Sequence, residues 1–350
     1  MVKRKQITIN DLAEKAGVSI STVSRVINNK DYVSAETRSR VEAAIADLNF
    51  QPDPSARELR GMPSKLVALV IPDILNVYYT ALSKEIESKL KAKGYTMLLG
   101  ITHDQTHLMR DYIEKFSKIN IDGLIYVPPP GRETSPYIRS LALTGLPILE
   151  INRRREEDLF FGVEADNFGA VTQALDHLYT LGHRQIAMLV GSQETTTGMK
   201  RLEGYRYYMN KQGIPINPAL IKVGEFSRAF GEKATRELLA DADNNPFTAI
   251  FPTSNRLLMG AMGVLREKEI DIPKDLSVIA MDDAEWLEVF CPAITTVDVA
   301  LEEMASLTVD LLLGQIESDA SGETPRTYTL SSSLKIRDSC NPIDDQNASA

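Results

Sequence analysis

Cysteine, histidine and long apolar runs are all scarce in this chain. Two cysteines among 350 residues, Cys291 and Cys340, supply neither a disulfide framework nor a thiolate metal site, which needs closely spaced ligands. They read as a packed thiol and a tail thiol, in that order. Of the four histidines, only His103 and His107 stand four apart. That spacing suits a metal, but Asp104, Gln105 and Arg110 around them offer no obvious third ligand, and the pair reads as a solvated helix face. His183, in LGHRQIA ahead of an apolar run, reads as structural. No apolar stretch is long enough to cross a bilayer, and no leader with a cleavage site opens the sequence, so a cytoplasmic protein is expected. Also missing are a GxGxxG after the first strand, a Walker loop, GxSxG and HExxH. An enzyme on a nucleotide-binding scaffold would need one of these or a catalytic cluster. The expectation is binding without turnover: not an enzyme, no catalytic residue, no cofactor and no metal.

Positive charge is short overall, with a net charge of −9, which taken alone argues against nucleic acid. Its distribution says otherwise. Residues 1–63 carry ten Lys/Arg against eight Asp/Glu, and the remainder 29 against 40. An acidic body limits non-specific sticking to DNA, while Lys3, Arg4, Lys5 and Arg25 stand where phosphates would run.

Ile7 to Asn28, ITINDLAEKAGVSISTVSRVIN, reads as two short helices around a tight turn. Thr8 is a good N-cap, and Asp11 lies in the first turn, where negative charge suits the helix dipole. Leu12, Ala13 and Ala16 recur at helical spacing, and Gly17 tolerates the left-handed conformation that ends a helix. Ser19 caps a second helix with Val23, Val26 and Ile27 on its buried side. Ile20, Ser21, Thr22, Ser24 and Arg25 remain at its exposed start. This is a helix-turn-helix, whose second helix enters the major groove N-terminal residues first. A third helix from Ser34 to about Leu48 closes the core with Val41, Ala44, Ile45 and Leu48, and places Thr37 and Arg38 in its first turn, where contact with the DNA backbone and ordinary capping and solvation fit the sequence equally well. Between Phe50 and Gly61, Pro52 and Pro54 break that helix. PSAREL is barely two turns and too short to be stable alone in water.

The wording TINDLAEKAGVSISTVSRVIN, then VSAETRSRVEAAIADLNFQPDPSARELRG, closely resembles the N-terminus of the lactose/galactose-repressor family of bacterial transcription regulators. The resemblance extends over essentially the whole chain. It implies DNA contacts from Thr8, Ser19, Ile20, Ser21, Thr22, Ser24, Arg25, Asn28 and Thr37. It also implies a hinge helix at 51–63, two copies of which lie in the minor groove, with Ala56 and Leu59 at the groove-contacting positions. Such a wedge kinks DNA. A pseudo-palindromic operator bound by a homodimer follows.

From Lys65 the texture changes to apolar runs alternating with amphipathic helices. LVALVIP, YTMLLG, DGLIYV and LPILEI form one series, with helices near 77–93, 104–119 and 134–144. RQIAMLVG, ALIKVGEF, FTAIFPT and DLSVIAMDD form a second. Strict alternation means parallel sheets covered on both faces. The expected fold class is an N-terminal all-α helix-turn-helix domain plus an α/β core of two doubly wound parallel-sheet subdomains, like a periplasmic binding protein. The expected division is 1–50, the hinge 51–63, an N-subdomain at 64–163 plus 293–328, a C-subdomain at 164–292 plus 329–342, and a flexible tail at 343–350.

Ligands of open parallel sheets collect at the carboxyl ends of the strands. The family resemblance places an effector site there. Arg201 would clamp polar groups, Asp282 would accept hydrogen bonds, and Phe226 would stack on a ring. Asp166 would be a polar cleft residue, while Thr197, Asn76 and Tyr79 lie on rim segments. Taken alone, Asp166 is as readily the cap of a helix beginning at Asn167. Two departures stand out: Asn255-Arg256 where the family usually has Asn-Asp, and Asn152-Arg153 where it usually has Asp-Arg. Arg256 beside Arg201 predicts two guanidinium groups near one ligand, and hence an anionic sugar derivative as effector. The alternative leaves Arg256 in solvent or paired with an acid such as Asp283. The function expected is a ligand-responsive, sequence-specific transcription regulator, most simply a repressor of carbohydrate or sugar-acid genes. A cytosolic sugar-binding protein with no regulatory role is the alternative.

Overall fold

The computed structural model describes residues 7–27, 32–48, 50, 63–131, 136–155, 159–317 and 324–343. The chain divides into two units, Met1–Ser64 and Lys65–Ala350. In the first, α1 (Ile9–Ala16), α2 (Ile20–Ile27) and α3 (Ala35–Leu48) each begin at a hydroxyl residue. Thr8 accepts from the Asp11 N–H while the Asp11 carboxylate accepts from the Thr8 N–H at 2.7 Å, a reciprocal cap. Ser19 Oγ accepts from the Thr22 N–H, and Ser34 Oγ from the Thr37 N–H. Gly17 ends α1 at φ +65°. Leu12, Val23 and Val41, all fully buried, hold the three helices together with Ala13, Ala16, Val26 and Ala44. Each of the leucine and valine side chains contributes about 1.5–3 kcal/mol on burial. Lys3, Arg4, Lys5, Asn28, Ala56, Leu59 and the hinge segment through residue 62 lie outside the described residues, as do residues 344–350.

The second unit holds two six-stranded sheets. The first has the order β11-β5-β4-β3-β1-β2 and the second β12-β10-β9-β8-β6-β7. Strands β1 (Leu66–Ile71), β2 (Thr96–Ile101), β3 (Gly123–Tyr126), β4 (Ile148–Ile151) and β5 (Phe161–Ala165) form a parallel series. Strands β6 (Ile186–Val190), β7 (Ile221–Val223), β8 (Ala249–Pro252), β9 (Ser277–Met281) and β10 (Thr295–Val299) repeat it in the same spatial order. Between the strands run α4 (Val77–Ala92), α5 (Thr106–Ser117), α6 (Pro136–Ala142), α7 (Asn167–Thr180), α8 (Thr196–Lys211), α9 (Arg228–Ala240) and α10 (Asn255–Glu267). Helix α11 (Leu301–Glu317) follows β10 and packs on the first sheet. Strand residues such as Leu69, Ile71, Met188 and Phe251 are fully buried, as expected of parallel sheets covered on both faces.

Three details depart from the sequence expectation. Residues 293–299 were expected with the first subdomain. Instead β10 pairs with β9 in the second sheet, and the chain returns to the first only through Ala300 and α11. The last crossing falls at Ser331, between β11 (Thr327–Leu330) in the first sheet and β12 (Ser332–Lys335) in the second. Because this one extended segment leaves the first sheet parallel to β5, it enters the second against the run of its strands. β12 is therefore antiparallel to β10. The two thiols also change places: Cys291 is exposed, while Cys340 Sγ lies 3.3 Å from the Val278 carbonyl and burial pushes its pKa up to about 11.

Candidate functional site

The three chain crossings, at Asp166, Ala300 and Ser331, leave the carboxyl ends of both parallel series facing one cleft. Its first wall is Pro72, Asp73, Asn76, Tyr78, Tyr79, Asp104, Asn152 and Arg153, and its second Thr197, Arg201, Phe226, Ser254 and Asp282. Of the ten residues expected there, Asn76, Tyr79, Asn152, Thr197, Arg201, Phe226 and Asp282 line it.

The duplicated architecture shows in its chemistry. Asn152 follows β4 and Asp282 follows β9, the equivalent strand. Both adopt the left-handed backbone region, at φ +66° and +67°, and each N–H donates to the neighbouring strand, at Val163 and Val297. Such conformations in non-glycine residues cost of order 1–3 kcal/mol and persist only where surroundings fix them. Tyr78 donates to Asn152 Oδ1 at 3.1 Å, and Asn152 Nδ2 donates to the Tyr79 hydroxyl at 2.9 Å. Burial pushes both phenols above their ordinary pKa. On the other wall, burial pushes the Asp282 carboxyl up against the pull of Arg201. Next to it, burial alone would push Asp283 up as well, but hydrogen bonds from Arg337, Lys335 and Thr296 hold that carboxyl well below the usual range.

Arg201 is buried and largely satisfied from within. It donates to Asn167 Oδ1 at 2.8 Å and to the Thr253 carbonyl, and its Nη2 lies 3.5 Å from Asp282 Oδ1. That is an ion pair too long to be a hydrogen bond. Asp282 Oδ1 accepts no hydrogen bond, so a buried acceptor faces the cleft. Arg153 is paired in the same way, with Asp104 at 2.6 Å and 3.3 Å. Both guanidinium groups lie over the Phe226 ring, at 5.9 Å and 5.7 Å from its centroid. The ring sits where a Cβ on Gly191 would be, so glycine at the end of β6 makes room for it.

Three expected effector contacts fall elsewhere. Asp166 caps α7, accepting from the Gly169 N–H at 2.8 Å. A helix start needs such an acceptor, and that need claims the side chain. Asn255 is buried behind the wall, its side-chain amide without a partner. Arg256 does not line the cleft. Its Nε lies 3.6 Å from Asp73 Oδ2, so it pairs with an acid other than Asp283. Each of the three guanidinium groups therefore has its own carboxylate, and the expected pair of cations awaiting an anion is not formed. Pro72, Asp73, Tyr78, Asp104, Arg153 and Ser254 were missed as lining residues. All but Asp104 stand in the strand-end segments PDILNVYY, INRR and TSNR, where ligands of parallel sheets are expected to collect.

In the first unit, the expected DNA-facing hydroxyls cluster. Ser19 Oγ lies 2.8 Å from both Ser21 Oγ and Thr22 Oγ1. Thr8, Ser19, Ile20, Ser21 and Arg25 are exposed, Ile20 by 49% despite being apolar, while Thr22, Ser24 and Thr37 are half-buried.

Comparison with known proteins covers both units. Residues 8–53 match the family described as bacterial regulatory proteins, lacI family, and residues 175–340 match a periplasmic binding protein-like domain. The HTH-type transcriptional regulator DegA of Bacillus subtilis (strain 168) is 33% identical over 300 residues, 85% of this chain and 88% of that one. The sucrose operon repressor of Lactococcus lactis subsp. lactis is 31% identical over 314 residues, 89% and 94% of the two chains. The crystal structure of the lac repressor dimer bound to operator and the anti-inducer ONPF superposes with a TM-score of 0.81 at 25% identity, covering 96% of this chain and all of that one.

Proposed function

The chain belongs to the lacI family of bacterial regulatory proteins; it is a DNA-binding transcription regulator, and we propose that a small polyhydroxylated effector, bound in the Arg201–Asp282 cleft, sets its affinity for a pseudo-palindromic operator read by a homodimer. The observation that carries the effector class is the matching of charge in the cleft. A free anion gains little where every guanidinium already has a carboxylate, whereas a neutral sugar meets donors, acceptors and an aromatic face together. The relatives named for sucrose and lac support the same class. Arg201, Asp282, Asn152, Tyr79 and Phe226 are the contacts. Asn76 and Thr197 contribute to the rim.

On the DNA side, Ile20 and Ser21 read the major groove while Thr8, Ser19, Thr22, Ser24, Arg25, Asn28 and Thr37 fix the docking. Ala56 and Leu59 enter the minor groove. One short recognition helix reads few bases, which is the argument for paired half-sites and a dimer. A bacterial regulator of this kind works in the cytoplasm. Among the described residues, no helix is long and apolar enough to cross a membrane.

A gel shift on DNA upstream of the regulator's own reading frame, with and without neutral hexoses, disaccharides, gluconate, a uronate and a sugar phosphate, tests the proposal. Retention that a neutral sugar alters supports it. No retention with any DNA segment contradicts the DNA role, and a response to anions alone contradicts the effector class.

A further inference from the structure

The cleft is bridged at two places that the strand duplication relates to each other. Strand β1 corresponds in order to β6, and β3 to β8. One bridge joins Asp73, just after β1, to Arg256, in the first turn of the helix after β8, at 3.6 Å. The other joins Glu194, after β6, to Gly131, after β3: the Gly131 N–H donates to the Glu194 carbonyl at 2.9 Å. The two bridges differ in kind. The second is a backbone hydrogen bond. The first is an ion pair between side chains 31% and 21% exposed, and Arg256 Nε makes no hydrogen bond. The Asp73 carboxylate is pre-set for it, because Oδ1 accepts from the Leu75 N–H at 2.8 Å and Oδ2 points across. Other links among the described residues, including Lys200 to Glu164, the Arg154 N–H to Thr196 Oγ1 and the Arg153 guanidinium over the Phe226 ring, reach across from the β4–β5 side, where the chain crosses.

With both bridges formed, the cavity measures about 40 Å³. Small-molecule pockets usually measure about 300–1,000 Å³. A sugar-sized molecule cannot enter without the lobes parting. Of the two bridges, the one held by charge alone is the one that a single side chain can break.

We propose that Asp73 and Arg256 form a latch that holds the two lobes closed and must release for the effector to enter. The latch gives Arg256 a task on this chain that the ligand does not share. Its role in effector access rests on the effector reading above, but its effect on closure does not.

Amide hydrogen exchange on the full chain, without effector or operator, tests the latch directly. In Arg256→Met, the Gly131 amide is expected to exchange at least tenfold faster than in the wild type, although it lies in the other bridge. Asp73→Asn should do the same, and it decides the matter if Arg256→Met fails to fold. The charge-reversed pair Asp73→Arg with Arg256→Asp should restore slow exchange at Gly131. Acceleration confined to residues 72–77 and 253–258, with Gly131 unchanged in both single variants, would reduce the pair to a local contact and overturn the proposal. Because no ligand is present, failure here is distinct from failure of the effector reading.

Discussion

Replacing Arg201 by methionine removes the cation from the centre of the cleft while keeping a similar length of side chain. Asp282 is 6% exposed and sits in a left-handed backbone conformation, so it has little freedom to turn to water. Breaking a buried ion pair by removing one partner costs about 3–5 kcal/mol. The Thr253 carbonyl and Asn167 Oδ1 lose their donor as well, which places the loss at the upper end of that range. The cost should depend on pH in a definite direction. Burial already raises the Asp282 pKa, and Arg201 is the main force opposing that rise. Without Arg201 the folded-state pKa climbs further above the unfolded value. The folded state then binds more protons than the unfolded state between the two values, so stability falls as pH rises through that window. The variant should therefore lie closest to the wild type below about pH 4, the unfolded carboxylate value, and furthest from it above the raised pKa. Arg201→Met with Asp282→Asn removes the stranded charge and should recover most of the loss. Urea unfolding from pH 4 to 8 measures all three chains. A single variant as stable as the wild type at pH 7, or one that gains stability as pH rises, would refute the reasoning.

Exchanging Ile20 and Ser21 for other residues should change which half-site is preferred, since both are exposed at the start of α2; selection from a randomised operator library checks it, and an unchanged preference would mean a different docking. Gly191→Ala should displace the Phe226 ring and weaken effector binding by about tenfold, a loss of roughly 1.4 kcal/mol, while circular dichroism stays unchanged; calorimetric titration measures it. His183 is buried, which lowers its pKa to about 4. The unfolded chain then takes up its proton first as pH falls from about 6.5, so stability should drop between there and about 4, and His183→Gln should flatten that part of the pH–stability curve.

The sequence carried the local structure well because local rules decide it. Thr8, Gly17 and Ser19 delimit α1 and α2 through caps that involve residues three or four apart. The alternation of apolar runs with helices likewise required two parallel series. What was not legible depended on distant partners. Nothing in TTVDV says whether β10 joins the strand before it or the sheet that α11 covers. Arg256 reads as a cleft cation until Asp73, from the other lobe, is seen beside it. Asp166 fits both a cap and a ligand contact in sequence, and only the Gly169 N–H decides between them. Asp104 lies in a left-handed turn at φ +59° rather than at the helix start near 104 that the sequence suggested. That turn sets it against Arg153 in the cleft.

The most direct test of the central claim is operator affinity with and without effector, measured side by side in the wild type and in the Arg201→Met, Asp282→Asn double variant by fluorescence anisotropy at fixed salt. The double variant keeps the α1–α3 unit and lacks the charged pair of the cleft. It should bind operator as the wild type does in the absence of the sugar. Saturating sugar should shift the affinity of the wild type by tenfold or more and leave the double variant unmoved. An equal shift in both chains would place the effector somewhere other than the Arg201–Asp282 cleft.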